Sequence, residues 1–201
     1  LESASGPFQE LLEARSMWDP TAIPSGTRPL TYLRMLADAP RALVIHGNYL
    51  DQEEYRFLAE HAKRMSLVYC PRTHAYFDHA PYPLAQLLQG GVRVALGTDS
   101  RASNPDLSML GEMCHVARTH ASVAPDAILR MGTLSAAEAL GIAANYGSIA
   151  SGKLANLVSM SLPYGLTNLL STSGLETIFS TTAMPSAIWY RGEEIGTNRE
   201  S

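Results

Sequence analysis

The sequence predicts an α/β fold: a parallel sheet of three strand–helix units, followed by a small β-rich annex. Three observations carry this. Short apolar runs at residues 42–45, 66–70 and 92–96 recur at a spacing of about 25 residues, the size of one βα unit. Each run is near-continuously apolar, as a strand buried in a parallel sheet must be, and a helical pattern follows each one. After residue 146 the character changes to glycine-, serine- and threonine-rich turns with two further strand-like runs.

Taken in order, residues 6–15 read as a helix, with Pro7 in its first turn and Phe8, Leu11 and Leu12 sharing a face. A proline- and glycine-rich loop leads to a second short helix over Leu30–Ala37, stopped before Pro40. Ala42–Ile45 is the first strand and ends in His46-Gly47-Asn48. Asp51 with Glu54 three residues on forms a capping-box pattern, which predicts a helix to about Arg64. Ser66–Cys70 is the second strand and ends in Pro71-Arg72-Thr73-His74. An aromatic loop and the helix LAQLLQ follow, closed by Gly90. Val92–Leu96 is the third strand, ended by Gly97 and followed by Thr98-Asp99-Ser100. Asn104-Pro105 reads as a cap with proline in the first turn, before a helix lined by Leu107, Leu110, Met113 and Cys114. Pro125–Arg130 and Ser135–Leu140 are further helices, the second capped by Ser135 and ended by Gly141. Leu154–Met160 and Ala187–Tyr190 are the strands of the annex, with a turn at Arg191-Gly192 before Glu193–Ile195. The domain expectation is therefore 1–146 for the α/β part and 147–201 for the annex.

Composition narrows the function. The chain has 201 residues, 46% of them hydrophobic, enough for one substantial core. A net charge of -4 offers no basic footprint for nucleic acid. No apolar run approaches the roughly 20 residues that span a bilayer. Two cysteines, Cys70 and Cys114, make neither a disulfide framework nor a zinc knuckle, and point to a reducing compartment such as the cytoplasm.

Ligands of parallel sheets sit at the C-terminal strand ends. Those ends carry His46, then Thr73 and His74, then Asp99. A lone histidine is ordinarily structural, and Asp99 taken by itself is equally well a turn or cap residue. Two imidazoles and a carboxylate at the same end of successive strands form a candidate site. Of the other histidines, His61, His115 and His120 read as helix-surface residues, while His79 in the aromatic loop is a candidate lid contact. Cys70 reads as a buried strand-end thiol.

The motifs His46-Gly47-Asn48-Tyr49-Leu50, Cys70-Pro71-Arg72-Thr73-His74 and Gly97-Thr98-Asp99-Ser100, in that order, resemble the sixth, seventh and eighth strand ends of the metal-dependent amidohydrolase superfamily. The similarity is to its chlorohydrolase and nucleobase-deaminase branch. Ser135–Gly141 followed by Gly147-Ser148-Ile149 and Gly152-Lys153-Leu154-Ala155 resembles the segment where that branch leaves its barrel for a small β domain. The resemblance implies the last three strands of a (β/α)8 TIM barrel plus part of the annex. It also implies hydrolysis of C–N bonds of a heterocyclic amine or related amide, one divalent metal such as zinc, a small-molecule substrate and a homo-oligomeric full-length protein. Asp99 matches the last protein ligand of the metal, and His46 the residue that orients the attacking water or the substrate. Thr73 and His74 match the substrate-facing residues of the seventh strand, although asparagine is usual near the position of His74. The branch takes two further histidines from an HxH motif and a third from its fifth strand. No HxH occurs here, and Leu1-Glu2-Ser3 fits better as a loop than as the fifth-strand glutamate. The chain by itself is thus expected neither to hold metal tightly nor to turn over substrate, and its outer strands to invite association. The alternatives are a non-catalytic remnant or partner-binding α/β module, and an open doubly wound domain with Asp99 as an acidic ligand site.

Overall fold

The computed structural model describes residues 5–161, 173–180 and 185–195. Leu1-Glu2-Ser3 and most of the 162–184 stretch lie outside the described residues. The first part alternates β and α as expected. Helices α1 (Pro7–Ala14) and α2 (Pro29–Leu36) precede strand β1 (Ala42–Ile45), helix α3 (Gln52–Glu60) and strand β2 (Met65–Tyr69). Then come α4 (Pro71–Tyr76), α5 (Leu84–Gln89), β3 (Val94–Leu96), α6 (Met109–Thr119), α7 (Pro125–Gly132) and α8 (Leu134–Leu140). The rest is β4 (Leu157–Met160), α9 (Ser173–Ser180), β5 (Pro185–Tyr190) and β6 (Glu193–Glu194).

Strands β1, β2 and β3 form one parallel sheet in that order, with Ala42 opposite Met65 and Leu67 opposite Val94. Strands β4, β5 and β6 form a separate antiparallel sheet. Side chains alternate faces along a strand, and the core takes one set: Ala42 and Val44, Met65, Leu67 and Tyr69, Val94 and Leu96. Helices supply the other side of that core through Leu33, Leu58, Leu87, Val116, Ile128 and Met131. The opposite face of β1 is open, with Leu43 37% and Ile45 51% exposed. The expectation of a sheet covered on both faces is therefore not met at β1. Helix α9 packs on α6 and α7, and its Phe179 joins the core.

Local chemistry accounts for the element ends. Asp51 accepts from the amides of Glu53 and Glu54, and Glu54 returns a bond to the Asp51 amide, completing the capping box. Gly141 closes α8 in the left-handed conformation at φ 75°. Lys153 ties the segment after α8 together by donating to the carbonyls of Ala143 and Tyr146 and to the Ser148 hydroxyl.

Four local expectations change. Pro71–Tyr76 is a helix and not a loop, because Pro71 occupies the first turn, where its missing N–H costs nothing. Asn104 does not cap α6; Ser108 does, through the Gly111 amide, because the Asn104 amide is consumed by buried partners. Ser135 is a buried residue inside α8, which follows α7 directly. His61 is not on an exposed helix face; it ends α3, bonds the Phe57 carbonyl and stacks on the Phe57 ring at 4.1 Å.

Gly47 marks the tightest approach of backbone to core. At φ +59°, a Cβ there would lie 2.5 Å from Leu67 Cδ1 and 3.1 Å from Leu50 Cδ1. Gly47→Ala is expected to cost about 2–4 kcal/mol in urea unfolding, adding overpacking to a left-handed backbone. Gly26→Ala, where φ is +81° but the space is open, should cost only about 1 kcal/mol. Equal costs at the two positions would contradict the packing argument.

Candidate active site

Strand ends β1 and β3 flank β2, two strand spacings or about 10 Å apart. The ladder continues one step past each strand end: the His46 amide donates to the Val68 carbonyl at 2.8 Å and the Gly97 amide to the Tyr69 carbonyl at 2.9 Å. The side chains then close the gap. His46 Nε2 lies 3.5 Å from Asp99 Oδ2. Both residues are left-handed, His46 at φ 64° and Asp99 at φ 57°. That conformation costs a non-glycine residue about 1–2 kcal/mol and persists only where neighbours hold it. The Tyr82 hydroxyl donates to the His46 carbonyl at 2.8 Å. The Asn104 amide donates to the carbonyl of Thr98, next to Asp99, also at 2.8 Å.

His46 and Asp99 line a cavity of about 150 Å³ together with Asn48, Thr73, His74, Phe77 and His79. All four residues singled out from the sequence (His46, Thr73, His74 and Asp99) therefore meet in one place. Thr73 is 3% exposed and its hydroxyl is engaged below the cavity, 3.0 Å from Ser103 Oγ and 3.4 Å from the Thr98 carbonyl. His74 is gripped at both nitrogens. Its Nε2 donates to the Ala80 carbonyl at 2.9 Å, which can only accept. Burial pushes the His74 imidazole below its ordinary value, against the pull of that carbonyl and helped by His79 and His46. Its Nδ1 lies 3.2 Å from the side-chain amide oxygen of Asn48. His79 receives the Tyr49 hydroxyl at 2.7 Å and lies 5.2 Å from the His74 ring.

Beneath the β2 and β3 ends lies a charged network that the sequence reading missed. Glu112, 0% exposed, accepts from the Arg72 amide, from Arg72 Nε at 2.7 Å and from Asn104 Nδ2 at 2.6 Å. Arg72 also bonds Asp106, whose carboxyl it holds down at about 2. The available signal was an acid among Met109, Met113 and Val116 on the apolar stripe of α6. Cys70 is buried as expected, and burial pushes its thiol up to about 12, with Asp99 and Glu112 adding to the effect.

Burial also lowers His115 and His120 below 6.5, as it does His74. The Tyr69 hydroxyl stands 3.2 Å from His120 Nε2. A group with a depressed histidine pKa binds fewer protons folded than unfolded, so stability is full above about 6.5 and falls as pH drops. The urea midpoint is expected to decline from about pH 7 to about pH 5, and His120→Gln to flatten the slope. A midpoint that rises toward pH 5 would sink this assignment.

Comparison with known proteins follows this geometry. Residues 21–193 match the model of the amidohydrolase family. The chain belongs to that family. Among the relatives of this amidohydrolase, the 5-methylthioadenosine/S-adenosylhomocysteine deaminase of Thermodesulfovibrio yellowstonii is 32% identical over 146 residues, 69% of this chain and 33% of the relative. The enzyme of the same description from Haloquadratum walsbyi is 36% identical over 160 residues, 75% of this chain and 35% of the relative. A zinc-bound adenosine deaminase from Xanthomonas campestris superposes with TM-score 0.70 at 30% identity, over 84% of this chain and 40% of that one. Helicobacter pylori aminofutalosine deaminase with methylthio-coformycin reaches TM-score 0.80 at 21% identity, over 96% of this chain and 47% of that one, a likeness of fold alone. The amidohydrolase chain spans about a third of the length of the curated relatives it matches.

A catalytic zinc takes three protein ligands and a water. Asp99 offers a carboxylate oxygen to the cavity and His46 an imidazole nitrogen, donors of the right chemistry. Among the described residues no three histidine, cysteine, aspartate or glutamate side chains stand close enough to hold a metal ion. No helix among the described residues is long and apolar enough to cross a membrane.

Proposed function

We propose that this chain is the part of a metal-dependent deaminase that contains strands six to eight of its barrel, with β1, β2 and β3 in those places and residues 147–201 forming part of a β annex. The observation that carries the reading is the His46–Asp99 pair, 3.5 Å apart at the C-terminal ends of a parallel sheet. Support comes from the open inner face of β1, since a barrel fills its lumen with strand side chains and keeps its helices outside. Deaminase relatives and a zinc-bound deaminase neighbour of 30% identity add to it.

The substrate is a heterocyclic amine, and the reaction exchanges its exocyclic C–N bond for a C–O bond with release of ammonia. A bound divalent metal would supply a water acidified toward a pKa of about 7, and Asp99 would be the ligand this chain contributes. Asp99 also takes the proton of the attacking water. His46 orients that water or donates to the oxygen that gains charge as it adds. His74 and Thr73 shape the wall that the heterocycle meets. The setting is cytoplasmic and the assembled enzyme homo-oligomeric.

The test is metal content and ammonia release from 5-methylthioadenosine, S-adenosylhomocysteine and adenosine. They are measured on the chain alone and on the chain co-expressed with the N-terminal two thirds of a homologous deaminase. The expected result is about one metal per assembled pair, ammonia release from that pair only, and loss of metal with Asp99→Ala. Stoichiometric zinc on the chain alone would overturn the ligand assignment, and an assembled pair that is metal-loaded but inert would overturn the deaminase reading.

A further inference from the structure

Asp99 stands in a left-handed turn, and the carbonyl of Thr98 just before it accepts from a buried side chain. Asn104, 3% exposed, donates from Nδ2 to the Thr98 carbonyl at 2.8 Å and to Glu112 Oε1 at 2.6 Å. Its Oδ1 accepts from Arg72 Nη2 at 2.7 Å and from the Leu107 amide at 3.0 Å. The amide has one orientation, because its oxygen faces only donors and its NH2 only acceptors. The other side chain on the Thr98 carbonyl, Thr73, reaches it at 3.4 Å. Arg72 and Glu112 lock Asn104 in turn, and Arg72 stands on α4 beside Thr73 and His74. Gly111 makes room for the guanidinium, since a Cβ there would lie 2.8 Å from Arg72 Nη1.

We propose that Asn104 is a positioning residue for Asp99: by bonding the Thr98 carbonyl from a buried Arg72–Glu112 frame, it sets the turn that presents the Asp99 carboxylate to His46. The functional weight of this rests on the role proposed for Asp99, whereas the conformational claim stands on the hydrogen bonds themselves.

The test is the one-bond Cα–Hα coupling in isotope-labelled chain, which separates left-handed from ordinary backbone. His46 is an internal control, since it is left-handed but held by Tyr82 and not by Asn104. In Asn104→Ala, Asp99 is expected to lose the left-handed signature while His46 keeps it. Asn104→Asp preserves volume but turns a carboxylate toward Glu112 and the Thr98 carbonyl, and the same selective loss is expected. Retention of the signature at Asp99 in either folded variant overturns the proposal. So does loss at both positions in both variants, which would make the network a support of the whole fold and not of this turn. The readout is backbone conformation and not ammonia release, so its failure is distinct from a failure of the deaminase reading.

Discussion

An Asp99→Asn variant, assembled with the complementary part of a homologous deaminase, is expected to release ammonia about 10²–10⁴-fold more slowly than the parent, the range a positioned general base contributes. Its melting temperature is expected to stay within about a degree. The two outcomes separate because Asp99 does little for the fold. Its side chain is 33% exposed, and among the described residues the amide of the adjacent Ser100 donates to it at 2.8 Å. Asparagine is among the few residues that tolerate a left-handed φ, so the turn at φ 57° survives the exchange. What is lost is a carboxylate that can bind a cation and accept a proton. Turnover within threefold of the parent would show that Asp99 only shapes the turn, since asparagine serves that purpose equally well.

Glu112→Ala is expected to lower unfolding free energy by about 3–5 kcal/mol, the range for removing one partner of a buried ion pair. Glu112 is fully buried and carries three donors: the Arg72 amide, Arg72 Nε and Asn104 Nδ2. Alanine leaves those groups without their acceptor in a place water does not reach, and unmet desolvation makes up most of the loss. Arg72 keeps Asp106, but that carboxylate is largely exposed and cannot replace a buried one. Against a typical total of 5–15 kcal/mol, the variant would sit near the limit of folding. Urea unfolding checks this, and a loss below about 1 kcal/mol would show that the network relaxes without Glu112.

The order of elements was legible along the chain because it depends on local chemistry. The β1 run, the Asp51–Glu54 capping box, Gly141 at the end of α8 and the polar residues at three strand ends are all statements about neighbours within a few residues. The same pattern made His46, His74 and Asp99 candidates before their distances were known, since parallel strands deliver their C-terminal ends to one side. Where two local signals competed, the reading failed. Asn104-Pro105 carries a good helix-cap pattern, yet the Asn104 amide is taken by Glu112 and Thr98, so Ser108 caps α6. Pro71, just past the end of β2, opens α4, a helix the sequence did not reveal, which carries Thr73 and His74.

The sequence by itself determined the βα alternation, the family, and which side chains stand at the strand ends, because periodicity, turn residues and motif spacing are encoded residue by residue. Only the tertiary structure decided that His46 and Asp99 meet across β2, that His74 is held between Asn48 and Ala80, and that an Arg72–Glu112–Asn104 frame underlies the site. These contacts join residues from 6 to 53 positions apart, and side-chain hydrogen bonds leave no periodic trace in the chain.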